Sequence, residues 1–161
     1  VRGGGFLLNN EMLDFNRRPG ITDTAGRIGT EPNTIAPGKR MLSSQTPVIV
    51  SRDGRPLLVT GSPGGRTITN TVLCVLVNVL DYRMPLREAI DAPRMHQQWF
   101  PDEVKLEPSP LLEPVVAALE AMGYEISSHR QGDAHSILIE PGTGEYIGVA
   151  DGRILGGAAG Y

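Results

Sequence analysis

The sequence predicts an α+β fold, with helices packed on mainly antiparallel strands. Two observations carry that prediction. Residues 56–80, PLLVTGSPGGRTITNTVLCVLVNVL, read as an apolar strand, a turn of small residues and a long apolar helix. The remaining apolar runs are short and separated by turn residues, in the order strand, long loop, two strands, two helices, strand, helix and three strands. Tight turns between successive strands favour antiparallel pairing.

Taken in order, residues 5–9 read as a short strand behind a glycine-rich lead-in, and residues 9–14 crowd polar groups at its end. Glu11 and Asp14 are three apart, so one helical turn or a tight loop brings both carboxylates to one side. Such a pair binds an ammonium group, a metal or water, and the residues alone favour a solvated loop. Residues 16–40 have no sustained periodicity and contain Pro19, Gly20, Gly26, Gly29, Pro32, Pro37 and Gly38, which makes them a long loop. Ser43 and Ser44 follow, two adjacent hydroxyls able to bind a carboxylate, although a plain loop before the next strand reads as well.

Residues 47–51 form a strand, and Asp53-Gly54 signals a hairpin turn into residues 57–59. Gly61, Ser62, Pro63, Gly64 and Gly65 make the next turn. Its backbone N–H groups, at the start of a helix running to about Tyr82, suit an anion or a developing oxyanion. Apolar residues cover most of that helix, which predicts burial between layers. Residues 84–92 are a short helix ended by Pro93, and residues 94–101 an extended aromatic and polar segment in which His96 reads as a structural, hydrogen-bonded histidine. Residues 104–107 alternate as a strand. Ser109 caps a helix over 110–122 that Gly123 closes. Residues 124–127, 134–140 and 146–150 are strands, the last two joined by the turn 141–144, and the glycine-rich tail has no predicted element.

The chain has 161 residues, of which 40% are apolar, enough for one domain with its own core. Net charge is −3, against a nucleic-acid partner or an anionic membrane surface. The single cysteine, Cys74, excludes a disulfide within the chain and a thiolate metal cluster, and reads as a small buried hydrophobe. His129 and His135 are too isolated to suggest a metal site. The longest apolar run, residues 72–77, is too short to span a bilayer. No signal peptide is visible. Residue 1 is Val and the opening VRGGGFLLNN enters a strand-like run almost at once, so the chain reads as a processed product or a fragment.

Several stretches together resemble the catalytic, small subunit of γ-glutamyltransferases, in the N-terminal-nucleophile hydrolase superfamily. They are LLNNEMLDF (7–15), GKRMLSSQTPVIV (38–50), LVTGSPGGRTI (58–68), ITNTVLCVLVNVLDY (68–82), APRMHQQWFPDE (92–103) and the closing AGY (159–161). The combination of LSS with TGSPGG, in order along almost the whole chain, is far more specific than a lone glycine motif. The resemblance implies part of a four-layer αββα sandwich, over one domain at 1–161 that lacks the nucleophile strand. It implies that Glu11 and Asp14 bind the α-amino group of a γ-glutamyl donor, that Ser43 and Ser44 bind its α-carboxylate, and that Gly64 and Gly65 form the oxyanion hole.

It further implies glutathione or a related γ-glutamyl amide as donor, an amino acid, peptide or water as acceptor, and a large subunit cut from the same precursor. It implies no cofactor and no metal, and a periplasmic or secreted location if the source is bacterial. The chain departs from the family pattern at Leu13, where an acidic residue is common, and at residue 1, where Val stands instead of the nucleophilic Thr. Thr22, Thr24, Thr30 and Thr34 lie in the wrong context to replace that Thr, so the isolated chain is expected to be inactive. The rival readings are a cephalosporin or glutaryl acylase or a poly-γ-glutamate depolymerase of the same superfamily, a non-catalytic homologue that keeps the amino-acid pocket, and a nucleotide-binding module. The last lacks G-x-x-x-x-G-K-[ST].

Overall fold

The computed structural model describes residues 3–5 and 8–160. The strand expected over 5–9 falls partly on Phe6 and Leu7, outside the described residues. The chain divides into two compact units. One comprises Val1–Ser43 with Trp99–Pro101, the other Ser44–Gln98 with Asp102–Tyr161.

The first unit is built of turns. Among its described residues, two single 3₁₀ turns, Glu11–Asp14 and Glu31–Asn33, interrupt an otherwise irregular path. An isolated parallel bridge joins Asn16 to Thr34, and the Asn16 N–H donates to the Asn33 carbonyl at 2.9 Å. Phe15 is buried. Gly29 is required by close approach, because a Cβ there would lie 2.0 Å from the Arg18 carbonyl oxygen. The long aperiodic loop is therefore held by its own backbone and side-chain bonds.

The second unit carries the regular elements. Strands β1 (Val48–Arg52) and β2 (Arg55–Gly61) form a hairpin whose turn residues Asp53 and Gly54 have φ of 52° and 75°. Positive φ at both central positions is what a two-residue turn needs to match strand twist, and Asp-Gly tolerates it. Helices α1 (Ile68–Leu80) and α2 (Leu86–Asp91) follow, then β3 (Met95–His96) and β4 (Val104–Leu106). Helix α3 (Glu113–Ala121) comes next, then β5 (Ile126–Ser128), β6 (His135–Ile139) and β7 (Tyr146–Val149). The Ser109 hydroxyl oxygen accepts the Leu111 N–H at 3.3 Å ahead of α3. Gly123, at φ 92°, ends α3 with the Tyr124 N–H returning to the Leu119 carbonyl.

One sheet has the order β1-β2-β6-β7 and is antiparallel throughout. The second has the order β3-β4-β5, with β3-β4 antiparallel and β4-β5 parallel. The fold is thus α+β with mainly antiparallel sheets. The parallel pair arises because α3 carries the chain back to the starting end, a crossover that parallel neighbours require.

The core of this unit sits between the first sheet and the two helices. Leu58 from β2, Val75 from α1, Leu86 and Ile90 from α2, Ala134 before β6 and Val149 from β7 are all buried. Fully burying a Leu, Val or Ile side chain is worth about 1.5–3 kcal/mol, so this cluster is a main source of stability. Helix α1 buries Thr71, Val72 and Val75, but Leu73 stays 53% exposed. Complete burial, expected from its apolar circumference, is therefore not reached within this chain. The opposite face of the sheet is also open: Ile49, Val59 and Ile137 pair in register across three strands at 70%, 36% and 42% exposure. No helix among the described residues is long and apolar enough to cross a membrane.

Candidate functional site

In the first unit the 3₁₀ turn brings Glu11 and Asp14 to its half-buried side while Met12 and Leu13 face solvent. The Leu13 N–H closes the turn on the Asn10 carbonyl at 3.0 Å. Buried Asn33 links this turn to the approach to Ser43. Its Nδ2 donates to the Asp14 carbonyl at 2.7 Å, and its Oδ1 accepts the Leu42 N–H at 3.0 Å. One amide side chain thus fixes the carboxylate turn against the serine segment. Sequence reading passed over Asn33, since an asparagine after a proline looks like ordinary loop chemistry.

In the second unit Ser44 and the glycine turn are tied to the same helix. The Thr46 hydroxyl donates to the Ser44 carbonyl at 2.9 Å and shares a 3.0 Å hydrogen bond with the Thr69 hydroxyl on α1. Just before α1, both the N–H and the hydroxyl of Thr67 donate to the Gly64 carbonyl, at 3.1 and 3.0 Å. Gly64 has φ 142° and Gly65 φ 56°. The Gly65 carbonyl accepts from Ile68. Among the described residues, neither the Gly64 nor the Gly65 N–H is given to a protein acceptor. Two neighbouring exposed donors held by a rigid helix start are suited to an incoming oxyanion.

Behind this turn lies a buried ionic cluster that sequence reading did not find. Arg94 is 1% exposed. Its guanidinium donates to Asp151 Oδ2 at 2.7 Å and to the Gln131 and Ile90 carbonyls at 2.9 Å each. Arg153 bonds both carboxylate oxygens of Glu107, Asp151 Oδ1 at 3.0 Å, and the Ile90 and Ala92 carbonyls. Glu107 in turn accepts the Arg94 and Gln131 N–H groups, and Asp151 accepts the Ala134 N–H at 2.7 Å. The four charges come from three separate parts of the sequence, at Arg94, at Glu107 and at Asp151 with Arg153, so no single segment displays the cluster.

Burial alone pushes the Glu107 carboxyl up, but the Arg153 guanidinium and the Gln131 and Arg94 N–H groups more than reverse this and hold it below the usual range. Asp151 behaves alike: burial raises it, and Arg94, the Ala134 N–H and the Arg153 N–H bring it below normal. Groups with depressed folded pKa values contribute stability that is present above their unfolded values, about 4, and lost as pH falls through the folded ones. The unfolding midpoint is therefore expected to be flat from about pH 5 to 8 and to fall steeply below about pH 4. Thermal scans across that range check it, and Glu107→Gln with Asp151→Asn should flatten the acid limb.

Cys74 is half-buried and its thiol is pushed up by burial, as suits a structural residue. His96 is buried, with Nε2 3.0 Å from Gln98 Oε1, in agreement with a structural role. No group of three or more His, Cys, Asp or Glu side chains among the described residues is arranged to hold a metal ion. Glu11, Asp14 and Ser43 belong to the first unit, and Ser44, Gly64 and Gly65 to the second.

A family model described as gamma-glutamyltranspeptidase matches residues 1–161. The glutathione hydrolase proenzyme of Escherichia coli is 43% identical over 92% of this chain and 26% of its own length. The chain thus spans about a quarter of the curated relatives it matches. Among solved structures, the T380A mutant of Helicobacter pylori gamma-glutamyltranspeptidase is 43% identical with a TM-score of 0.83, covering 96% of this chain and 84% of that one. Gamma-glutamyltranspeptidase from Pseudomonas nitroreducens, complexed with L-DON, is 40% identical with a TM-score of 0.84, covering 100% of this chain and 84% of that one.

Proposed function

Because this chain belongs to the gamma-glutamyltranspeptidase family, we propose that it forms part of the catalytic subunit of an enzyme that transfers or hydrolyses γ-glutamyl groups, with glutathione or a related γ-glutamyl amide as donor. The observation that carries the reading is the Gly64-Gly65 turn, whose N–H groups have no protein acceptor among the described residues.

In this reading a Thr hydroxyl of the parent protein, outside this chain, attacks the donor γ-carbonyl. The carbonyl oxygen gains the negative charge, and the Gly64 and Gly65 N–H groups stabilise it. Collapse expels the amine and leaves an acyl-enzyme, which water, an amino acid or a peptide then cleaves. Glu11 and Asp14 hold the donor ammonium, and Ser43 and Ser44 its carboxylate. Three points of attachment align the γ-carbonyl for attack. The large subunit of the same precursor is the proposed partner, and the open faces of α1 and the first sheet suit further layers of a sandwich. A periplasmic or secreted location is proposed from the family alone.

The parent enzyme, assayed with a γ-glutamyl anilide and the matching glutaryl anilide, tests the reading. Loss of a charge-assisted contact costs about 1.5–3 kcal/mol, so Glu11→Ala and Asp14→Ala should each raise the γ-glutamyl KM about 10- to 100-fold. The glutaryl substrate has no ammonium group, and neither variant should alter its KM. An unchanged γ-glutamyl KM in both variants would favour the acylase reading instead.

A further inference from the structure

We infer that Gly132 is a positioning residue for the oxyanion turn, locking Gly64 and Gly65 in place through a loop that the buried ionic cluster anchors. The inference rests on the γ-glutamyl transfer reading of that turn.

Gly132 lies directly against the turn. A Cβ built on Gly64 would be 3.5 Å from the Gly132 Cα and 3.7 Å from its nitrogen. A Cβ built on Gly132 would lie 2.5 Å from Thr71 Oγ1, 2.6 Å from Thr71 Cγ2 and 2.8 Å from Ser62 Oγ. Thr71 is fully buried on α1 and has little room to yield. Gly132 also has φ 69°, which L side chains rarely adopt. Both conformation and space therefore demand glycine here. One residue on, the Asp133 N–H donates to Ser62 Oγ at 2.9 Å, and the Ser62 hydroxyl donates to the Pro63 carbonyl at 2.7 Å. The loop thus holds the turn at Ser62 and touches it at Gly64.

The loop is itself fixed from both ends. Gln131 gives its N–H to Glu107 Oε1 at 3.0 Å and takes Arg94 Nη1 on its carbonyl at 2.9 Å. Ala134 gives its N–H to Asp151 Oδ2 at 2.7 Å. Asp133 Oδ1 accepts the Ile154 N–H at 3.2 Å, and its Oδ2 is 2.8 Å from His135 Nε2. Charged groups buried in the unit therefore set the position of Gly132, and Gly132 sets how far Gly64 can move. Donors aimed in advance need no reorganisation when the oxyanion forms, and a small misplacement lowers the rate without weakening ground-state binding.

The test uses the full-length, processed parent enzyme with a γ-glutamyl anilide donor. Gly132→Ala is expected to lower kcat per processed enzyme about 10- to 100-fold while the donor KM stays within about twofold. Ser62→Ala should lower kcat in the same direction, and Ser62→Thr, which keeps the hydroxyl, should restore it. A purely structural role would reduce the yield of processed enzyme and its melting temperature but leave kcat per processed enzyme unchanged, and that result overturns the inference. If Gly132→Ala does not fold, an unchanged kcat in Ser62→Ala overturns it equally. If the wild-type parent releases no anilide, the functional reading fails and the positioning role falls with it. Turnover by the wild type with unaltered kcat in the variants removes the positioning role alone.

Discussion

Arg94→Met is expected to lower the unfolding free energy by about 3–5 kcal/mol, a large part of a domain's total. The arginine is almost wholly buried and donates to Asp151, Gln131 and Ile90. Methionine fills much of its volume and satisfies none of those acceptors, so the cost is a buried carboxylate stripped of one cation rather than a cavity. Arg153 still reaches Asp151 Oδ1 at 3.0 Å, which keeps that site partly compensated. The pair Arg87–Asp91 makes a useful contrast. Its N–O distance is 2.8 Å, close to the 2.7 Å of Arg94–Asp151, but both side chains are about half exposed, and Asp91→Asn should cost under about 1 kcal/mol. Urea unfolding of the three proteins measures the difference. A loss below about 1 kcal/mol for Arg94→Met would show that the cluster is electrostatically slack.

Gly64→Ala in the parent enzyme is expected to lower kcat about 100- to 1,000-fold, the loss associated with one oxyanion donor. Alanine is strained at φ 142°, and its Cβ would sit 2.6 Å from Thr67 Oγ1. That hydroxyl is one of the two Thr67 donors bonded to the Gly64 carbonyl, so relief of the clash removes one of the two bonds that close the turn. Gly65 differs. It has φ 56°, and a Cβ added there would meet nothing within 4 Å, so Gly65→Ala carries only the left-handed strain of roughly 1–2 kcal/mol. Its kcat loss should be about tenfold. Steady-state assays with a γ-glutamyl donor decide the matter. Equal losses in the two variants would mean that conformation alone governs the turn, and a Gly64→Ala enzyme within about threefold of wild type would remove Gly64 from the oxyanion site.

Local chemistry made much of the fold legible. Asp53-Gly54 announced the hairpin because few residue pairs accept two positive φ values in succession. Ser109 and Gly123 bracketed the α3 region because a cap and a left-handed stop are satisfied within a few residues. The glycine turn before α1 was visible for the same reason. What escaped notice depends on atoms far apart in the chain. Asn33 acts through Asp14 and Leu42, Gly132 through Ser62, Gly64 and Thr71, and Arg94 through Asp151. The parallel β4-β5 pairing and the half-covered α1 were equally hidden, because pairing partner and burial are not properties of a segment.

The sequence by itself determined the α+β class and the order of the main elements from β1 onward, apart from the short β3, and it singled out Glu11, Asp14, Ser43, Ser44, Gly64 and Gly65 as candidates. Backbone propensity, turn chemistry and charge act over a few residues, and motif spacing records them. Only the tertiary structure decided what holds those residues still: an asparagine joining the carboxylate turn to the serine segment, and an ionic cluster behind the glycine turn. Burial makes those contacts strong, and burial is a property of the folded chain.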